Sequence, residues 1–175
     1  MSEWDHGLTM AEAVERASRR AGWEAGAQPD AYATTAAMVH ARAFVFALDT
    51  IGKSLGELKK LTAGDDLVQL VAHRQKAMPD LVRVRDSAHH SEDRVQGKAR
   101  ERRIDPAPVE TEALSTSGGV MVIGFLNGDR YGGTASDGTY SEVPVYEATS
   151  RDAADLVQEA HRMFDWTGPG YVWLS

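Results

Sequence analysis

Apolar residues recur at helical spacing through the first hundred residues of the chain. The capping-box spacing of Thr9 and Glu12 predicts a first helix that ends near Gly22. A longer helix is predicted over residues 30–51, with Asp30 as its N-cap, because apolar side chains at intervals of three and four form one stripe. The stripe residues are Met38, Ala41, Val45 and Leu48. This helix is apolar beyond its stripe as well, which favours a central position or a dimer contact.

Glycine and proline separate the helices that follow. Gly52 and Gly56 weaken helix continuity, so residues 54–61 are expected to form a short helix or a turn, and residues 65–77 are expected to form a further helix. Because proline is well tolerated in a first turn, the next helix is predicted to begin near Pro79 and to run through a basic segment towards Arg103. The apolar stripe of this helix is Leu81, Val84, Ala88 and Val95.

Beyond residue 117 the pattern changes to one that is typical of β-strands. Residues 119–126 are rich in β-formers, Asn127-Gly128 is a two-residue hairpin signal, and residues 130–134 return as a second strand. A third strand is predicted over residues 140–146, and its proline marks it as an edge strand. The three strands are expected to form an antiparallel meander.

The last predicted helix is amphipathic and follows the cap spacing of Thr149 and Asp152. The predicted fold class is therefore mainly α, a helical bundle with a small antiparallel β-meander at about residues 118–148, inserted before the last helix. The length of 175 residues is that of one domain, so residues 1–175 are expected to fold as a single domain.

Composition excludes several kinds of site. The chain has no cysteine, so disulfides, thiolate nucleophiles and cysteine-built metal sites are absent. The N-terminus lacks the basic and apolar segments of a secretory signal, and no stretch approaches a membrane span, so we expect a cytoplasmic protein that does not engage a membrane. The formal net charge is −7, yet residues 81–103 carry seven Lys or Arg against four Asp or Glu. Such a basic element can bind a phosphate backbone locally.

The strongest candidate for chemistry is the run from Arg85 to Arg94, which contains two adjacent histidines. Histidine has the unperturbed pKa nearest neutrality, and a fixed arginine beside it can hold a phosphate. On one helix His89 is the i+4 neighbour of Arg85, whereas His90 lies about 140° round the axis from Arg85. Arg83, His90 and Arg94 form a second polar line. If two copies of this helix met across a twofold axis, the arginines and histidines of both copies would come together, which favours a dimeric site.

The spacing of Arg85, Asp86 and His90 resembles the signature of the HEPN superfamily, the higher eukaryotes and prokaryotes nucleotide-binding domain. With Ser87 and Arg94 added, the pattern resembles that of uncharacterised bacterial HEPN-like proteins. The motif also lies where it does in that superfamily, on a late helix of an α-helical bundle. The resemblance covers residues 30–104 and the last helix, and it does not extend to the β-meander.

This resemblance implies a homodimer whose paired motifs form a metal-independent endoribonuclease site, with no cofactor. His90 would act on the ribose 2′-hydroxyl as a general base or help to position it, and Arg85 would stabilise the phosphorane-like transition state. Asp86 would orient Arg85 or His90. Many members of the superfamily are toxins or defence nucleases with a neutralising antitoxin partner, whereas others bind RNA or are inactive scaffolds.

Other interpretations of the same residues stay open. A run with mixed charge is also typical of a solvated helix face with internal ion pairs. His89, Arg83 and Arg94 are further candidates for substrate binding, although His89 could be a mere neighbour of the motif histidine. The basic residues at 98–103 suit either the C-terminal dipole of a helix or contact with an RNA strand.

Overall fold

The computed structural model describes residues 31–61 and 64–164, with side chains for residues 35–60 and 64–164. The helix predicted to end near Gly22 lies outside the described residues. The described part of the chain is mainly α, which confirms that part of the predicted fold class. Its helices are α1 (Ala31–Leu61), α2 (Asp65–Ala77), α3 (Leu81–His89), α4 (Ser91–Val95) and α5 (Glu147–Arg162).

The strands of the described residues form two antiparallel sheets. One is a two-stranded hairpin directly after α4, and the other has three strands in the order β3-β4-β5. The strands are β1 (Lys98–Ala99), β2 (Arg102–Arg103), β3 (Phe125–Asn127), β4 (Arg130–Thr134) and β5 (Tyr140–Pro144). Helix α1 packs against α2, α3 and α5, and α3 lies between α1 and the three-stranded sheet.

Helix α1 is one continuous helix, so the predicted break at Gly52 is wrong. Ile51 and Leu55 are both buried and extend the apolar face of the helix past the glycine. A Cβ at Gly52 would overlap the guanidinium of Arg74, which donates to the Leu48 carbonyl at 2.8 Å. The glycine therefore makes room for a side chain of α2 and does not end α1.

The helix predicted to run from Pro79 to Arg103 is also wrong in its extent. Helix α3 ends at His89, His90 adopts a non-helical conformation with φ −104° and ψ 41°, and the short α4 ends at Val95. The bend has a tertiary cause. Ser87 and Arg94 both donate to the Thr134 carbonyl, whereas a straight helix would separate the two positions by about 10 Å along its axis.

The first strand of the three-stranded sheet starts later than its sequence predicts, at Phe125 instead of residue 119. Gly124 has a φ of +64°, which ends the extended conformation ahead of it. The preceding segment is held by one side-chain and one backbone hydrogen bond to Thr134 instead of a regular ladder. The Val122 amide donates to the Thr134 hydroxyl at 2.8 Å, and the Thr134 amide donates to the Val122 carbonyl at 2.9 Å.

The turn and the last helix are also displaced from their predicted positions. Asn127 pairs with Arg130, so the hairpin turn consists of Gly128 and Asp129, one residue beyond the predicted Asn127-Gly128. Helix α5 begins at Glu147, before the predicted cap at Thr149. Thr149 and its neighbour are buried in the first turn of this helix, where they pack and do not cap.

Arg94 is a buried cation that joins α4 to both sheets. It is 3% exposed, its Nε donates to the Thr134 carbonyl at 3.2 Å, and its Nη1 donates to the Lys98 carbonyl at 2.7 Å. No described carboxylate lies within ion-pair distance of it. The guanidinium therefore stabilises the bend after α3 through charge-assisted hydrogen bonds to backbone.

We expect Arg94→Ala to lower the free energy of unfolding by about 3 kcal/mol, because it removes two charge-assisted hydrogen bonds and leaves a cavity. Urea unfolding followed by circular dichroism measures the loss. Arg103→Ala, at an exposed position of β2, is the matched control and should change stability by less than about 0.5 kcal/mol. Equal effects of the two substitutions would contradict this assignment.

Candidate functional site

The facing surfaces of α1 and α3 bring charged and aromatic groups together. The two helices run antiparallel there: Arg42 of α1 contacts Ala88 near the end of α3, whereas the later residue Asp49 contacts the earlier residue Arg85. We call this surface the α1–α3 seam. From α1 it contains Arg42, Phe46, Asp49 and Lys53, whose spacing places them on one helix face. From α3 and its end it contains Arg85, Asp86, His89 and His90.

Arg85 is held between two carboxylates of the same chain. Its Nη1 lies 2.6 Å from Asp86 Oδ1, and its Nε lies 3.0 Å from Asp49 Oδ2. The side chain of Arg85 is 18% exposed and that of Asp49 is 7% exposed. The buried Nε is close to Asp49 but not aligned for a hydrogen bond, so this contact is an ion pair alone. The guanidinium is thus fixed in position and still reached by solvent.

Asp49 is the residue of the seam that sequence reasoning missed. Its Oδ2 also lies 2.8 Å from the Nζ of Lys53, so one buried carboxylate serves two cations. One feature of the sequence could have identified Asp49: it directly follows the apolar stripe of a helix that is predicted to be central. A buried carboxylate needs a cationic partner, but the sequence does not say which one.

The two histidines of the run lie side by side at the end of α3. The ring of His89 is exposed, that of His90 is half-buried, and their centroids are 4.8 Å apart in an edge-to-face arrangement. His89 also meets the Phe46 ring, at 6.0 Å and again edge to face. The bend at His90 produces this pairing, because the chain leaves the helix there.

Arg42 lies at the same end of the seam as the two histidines. Its Nη2 donates to the Ala88 carbonyl at 2.6 Å, and its guanidinium lies 5.9 Å from the centroid of the Phe46 ring. Carbonyls in the last turn of a helix lack intrahelical partners, so an arginine there satisfies one of them and suits the negative end of the helix dipole. Arg42 thus brings a positive charge to the neighbourhood of both histidines.

Arg83 does not join the seam but faces the three-stranded sheet. Its Nη2 donates to both carboxylate oxygens of Asp137, at 2.8 and 2.6 Å, and to the Thr139 hydroxyl. Hydrogen bonds from Thr139, and then the charge of Arg83, hold the pKa of Asp137 below its ordinary value. Arg83 therefore ties α3 to the turn between β4 and β5.

The structure thus divides the predicted site residues into two groups. Arg85, Asp86, His89 and His90 lie together on the α1–α3 seam. Arg83 and Arg94 point away from it towards the sheets, and Arg94 is buried. The polar line expected from Arg83, His90 and Arg94 does not exist, because the helix bends at His90.

Two cavities of the described chain lie elsewhere. One, of about 410 Å³, is enclosed by α1, α2 and α5 and has Leu70, Arg74 and Leu156 in its wall. The other, of about 360 Å³, lies beside the three-stranded sheet and is lined in part by Arg130 and Glu142. Neither is lined by a residue of the seam. The exposed side chains of His89 and Lys53 leave the seam open to an RNA strand or a second protomer.

Within the described residues, no group of three or more histidine, aspartate or glutamate side chains is arranged to hold a metal ion. Among the described helices, none is both long and apolar enough to cross a membrane. No protein-family model, curated protein or solved structure matches this chain. The functional argument therefore rests on the geometry of the seam.

Proposed function

We propose that the α1–α3 seam is an RNA-cleaving site of the HEPN type, in a mainly α domain that corresponds to a HEPN-like bundle with an added β-meander. The observation that carries the proposal is the fixed guanidinium of Arg85 on the same surface as two adjacent imidazoles. A positioned cation and titratable bases are the groups that metal-independent phosphodiester cleavage requires. The motif spacing of Arg85 and His90 agrees with this chemistry.

In the proposed reaction His90 removes the proton of the ribose 2′-hydroxyl, and the 2′-oxygen attacks the adjacent phosphorus. The bond from phosphorus to the 5′-oxygen breaks, which leaves a 2′,3′-cyclic phosphate on one product. The departing oxygen takes a proton, and the proposed donor is His89, whose ring centroid lies 4.8 Å from that of His90. Arg85 stabilises the charge that develops on the phosphoryl oxygens, and Asp86 and Asp49 hold its guanidinium in place.

The active form in this proposal is a homodimer. Exposed valines flank the seam, with Val39 60% exposed on α1 and Val82 51% exposed on α3. A twofold contact through this surface would cover both valines and bring a second pair of histidines to the site, because such an interface is self-complementary. A role as a toxin or defence nuclease with a neutralising antitoxin partner follows from the family resemblance alone.

We expect light scattering to give a mass twice the 19.0 kDa of one chain at micromolar concentration. The double variant Val39→Asp/Val82→Asp should return the protein to a single-chain mass, because the contact would bury a new unpaired charge at each valine position. Val68→Asp, on the exposed side of α2, is the control and should stay dimeric. A single-chain mass for the unmodified protein would contradict the dimer.

A non-catalytic RNA-binding protein or interaction scaffold with the same fold is the second candidate. The observation that favours it is that two carboxylates of the same protomer already neutralise Arg85. A guanidinium engaged in this way gives less stabilisation to an incoming phosphate. On this view, the ion pairs of the seam serve stability and the surface binds a partner without chemistry.

One experiment separates the two candidates. Purified protein is incubated with total RNA in excess chelator, beside an Arg85→Ala variant purified in the same way. The nuclease proposal expects fragments that carry 2′,3′-cyclic phosphate ends, made by the unmodified protein and not by the variant. Intact RNA with both proteins, together with measurable RNA binding, would favour the non-catalytic protein. Equal cleavage by both proteins would mark a contaminating nuclease.

A further inference from the structure

The hairpin formed by β1 and β2 is the most basic surface of the described chain. Of its six residues, 98–103, four are cationic and exposed, and one is acidic; the cations are Lys98, Arg100, Arg102 and Arg103. None of the four forms an ion pair with a described carboxylate. Lys98 makes a long hydrogen bond to the Gln96 side chain at 3.4 Å. The hairpin therefore presents uncompensated charge to solvent.

Its charge pattern is unfavourable for folding. Lys98 and Arg103 are direct cross-strand partners, and like charges placed opposite each other destabilise a strand pair. Arg100 has a φ of +58°, a left-handed conformation that is costly for a residue with a Cβ. The like-charge pair and the left-handed Arg100 both destabilise the hairpin. Binding of an anionic ligand explains these residues better than a contribution to stability does.

The structure also removes the alternative explanation of this basic run. Favourable interaction with a helix dipole requires cations in the last turn of a helix. Helix α4 ends at Val95 and has only five residues, and Gly97, with a φ of +69°, ends the helical conformation before the first of the four cations. The charges therefore do not complement a helix end. Of the two interpretations of the sequence, contact with an RNA strand remains.

The hairpin lies close to the seam and is firmly attached. The five residues of α4 rise about 8 Å along its axis and separate His90 from the turn that leads into the hairpin. Arg94 bonds to the Lys98 carbonyl at 2.7 Å and to the Thr134 carbonyl at 3.2 Å, which fixes β1 to the core. A strand held on the seam can therefore continue over the hairpin.

We propose that the hairpin at residues 98–103 binds the sugar–phosphate backbone of a single RNA strand beside the α1–α3 seam. The assignment to RNA rests on the proposed function, whereas the assignment to a phosphate backbone rests on the hairpin itself. The hairpin has no aromatic ring on which a base could stack, so contacts to phosphate dominate and binding falls steeply with salt. The remainder of the chain is acidic and repels the strand, which confines contact to this surface.

The test measures binding without cleavage. A fluorescent single-stranded RNA of about 20 nucleotides is titrated by anisotropy with His90→Ala protein in chelator, at several salt concentrations. The test variant adds Lys98→Gln, Arg100→Gln, Arg102→Gln and Arg103→Gln. We expect affinity at moderate salt to fall about tenfold or more, and the slope of log affinity against log salt to decrease by about 3, since each lost phosphate contact on a single strand contributes about 0.7.

The matched control removes the same charge from exposed cations of α1, α2 and α5; the substitutions are Lys59→Gln, Lys60→Gln, Lys76→Gln and Arg162→Gln. It should leave affinity within about threefold of the parent, because these cations lie outside the proposed contact. Equal losses in both variants, or no loss in the hairpin variant, would overturn the proposal. Tighter binding of a DNA strand of the same sequence than of the RNA would overturn the assignment to RNA.

Folding and function are checked separately. The hairpin variant should melt at an unchanged or higher temperature, because its cross-strand repulsion is gone. The nuclease proposal fails if protein with an intact His90 leaves RNA uncleaved, and that result does not affect hairpin-dependent binding. The hairpin proposal fails if the hairpin variant binds RNA like its parent, whether or not the unmodified protein cleaves.

Discussion

His90→Ala is expected to lower the rate of chelator-resistant RNA cleavage by on the order of a hundredfold or more, since positioned proton transfer typically contributes that much. The substitution removes the proposed base and leaves the ion pairs of Arg85 in place. Single-turnover cleavage of a defined RNA strand is the measurement, because it reports the chemical step without product release. His73→Ala, an exposed histidine on α2, is the matched control and should cleave at the normal rate.

Arg85→Ala should have an effect of similar size for a different reason, the loss of charge stabilisation in the transition state. Because His90 and Arg85 serve one chemical step, the double variant should be barely slower than either single variant. Independent effects that multiply in the double variant would mean that the two residues do not act together. Circular dichroism and a thermal melt of each variant distinguish lost chemistry from lost folding.

His89→Ala distinguishes the two ways in which the seam can be organised. If the superfamily spacing defines the site, the loss of His89 costs less than the loss of His90, because water can replace a proton donor more easily than the positioned base. A larger effect at His89 would place the site on the i+4 pair formed with Arg85. Normal cleavage by both single histidine variants would contradict acid–base catalysis at the seam.

The bounds of a helix could be predicted from the sequence where the residues that set them lie within the helix itself. Residues 65–77 were expected as a helix, and α2 has those bounds, because its apolar spacing and its acidic start lie within the segment. Gly52 misled the prediction for α1, since its packing against Arg74 depends on a different helix. The end of α3 carries no glycine or proline signal. It is set by Ser87 and Arg94, which both reach a carbonyl about 40 residues further along the chain.

The site residues, like the helices, could be predicted where they are close together in the sequence. Arg85, Asp86, His89 and His90 are near one another in the chain, and the structure keeps them on one surface. Arg83 and Arg94 face the sheets for different reasons: Arg83 lies on the side of α3 that meets Asp137, and Arg94 lies beyond the bend at His90. Helix α1 contributes the part that local reasoning could not assign. Asp49 is 36 positions from Arg85, and no periodicity links an aspartate to one particular arginine at that separation.

Asp49→Ala is expected to have an effect on stability close to that of Arg94→Ala. Its carboxylate is 7% exposed and faces the guanidinium of Arg85, whose side chain is 18% exposed. Asp49→Ala leaves that cation partly buried with Asp86 as its remaining partner, whereas the exposed Lys53 regains full hydration. Removal of one partner from a buried pair typically costs 3–5 kcal/mol, and the partial exposure of Arg85 reduces this to about 2–3 kcal/mol.

Urea unfolding measures the cost of Asp49→Ala, and the same helix provides its control. Glu57 pairs with Lys60 at 2.6 Å, but both side chains are 69% exposed, so Glu57→Ala should cost less than about 1 kcal/mol. Asp49→Leu combined with Arg85→Leu should recover most of the stability, because an apolar pair replaces the buried charges. If Asp49→Ala cost no more than Glu57→Ala, the seam would be held by its apolar contacts alone, and Arg85 would not be fixed in position for a phosphate.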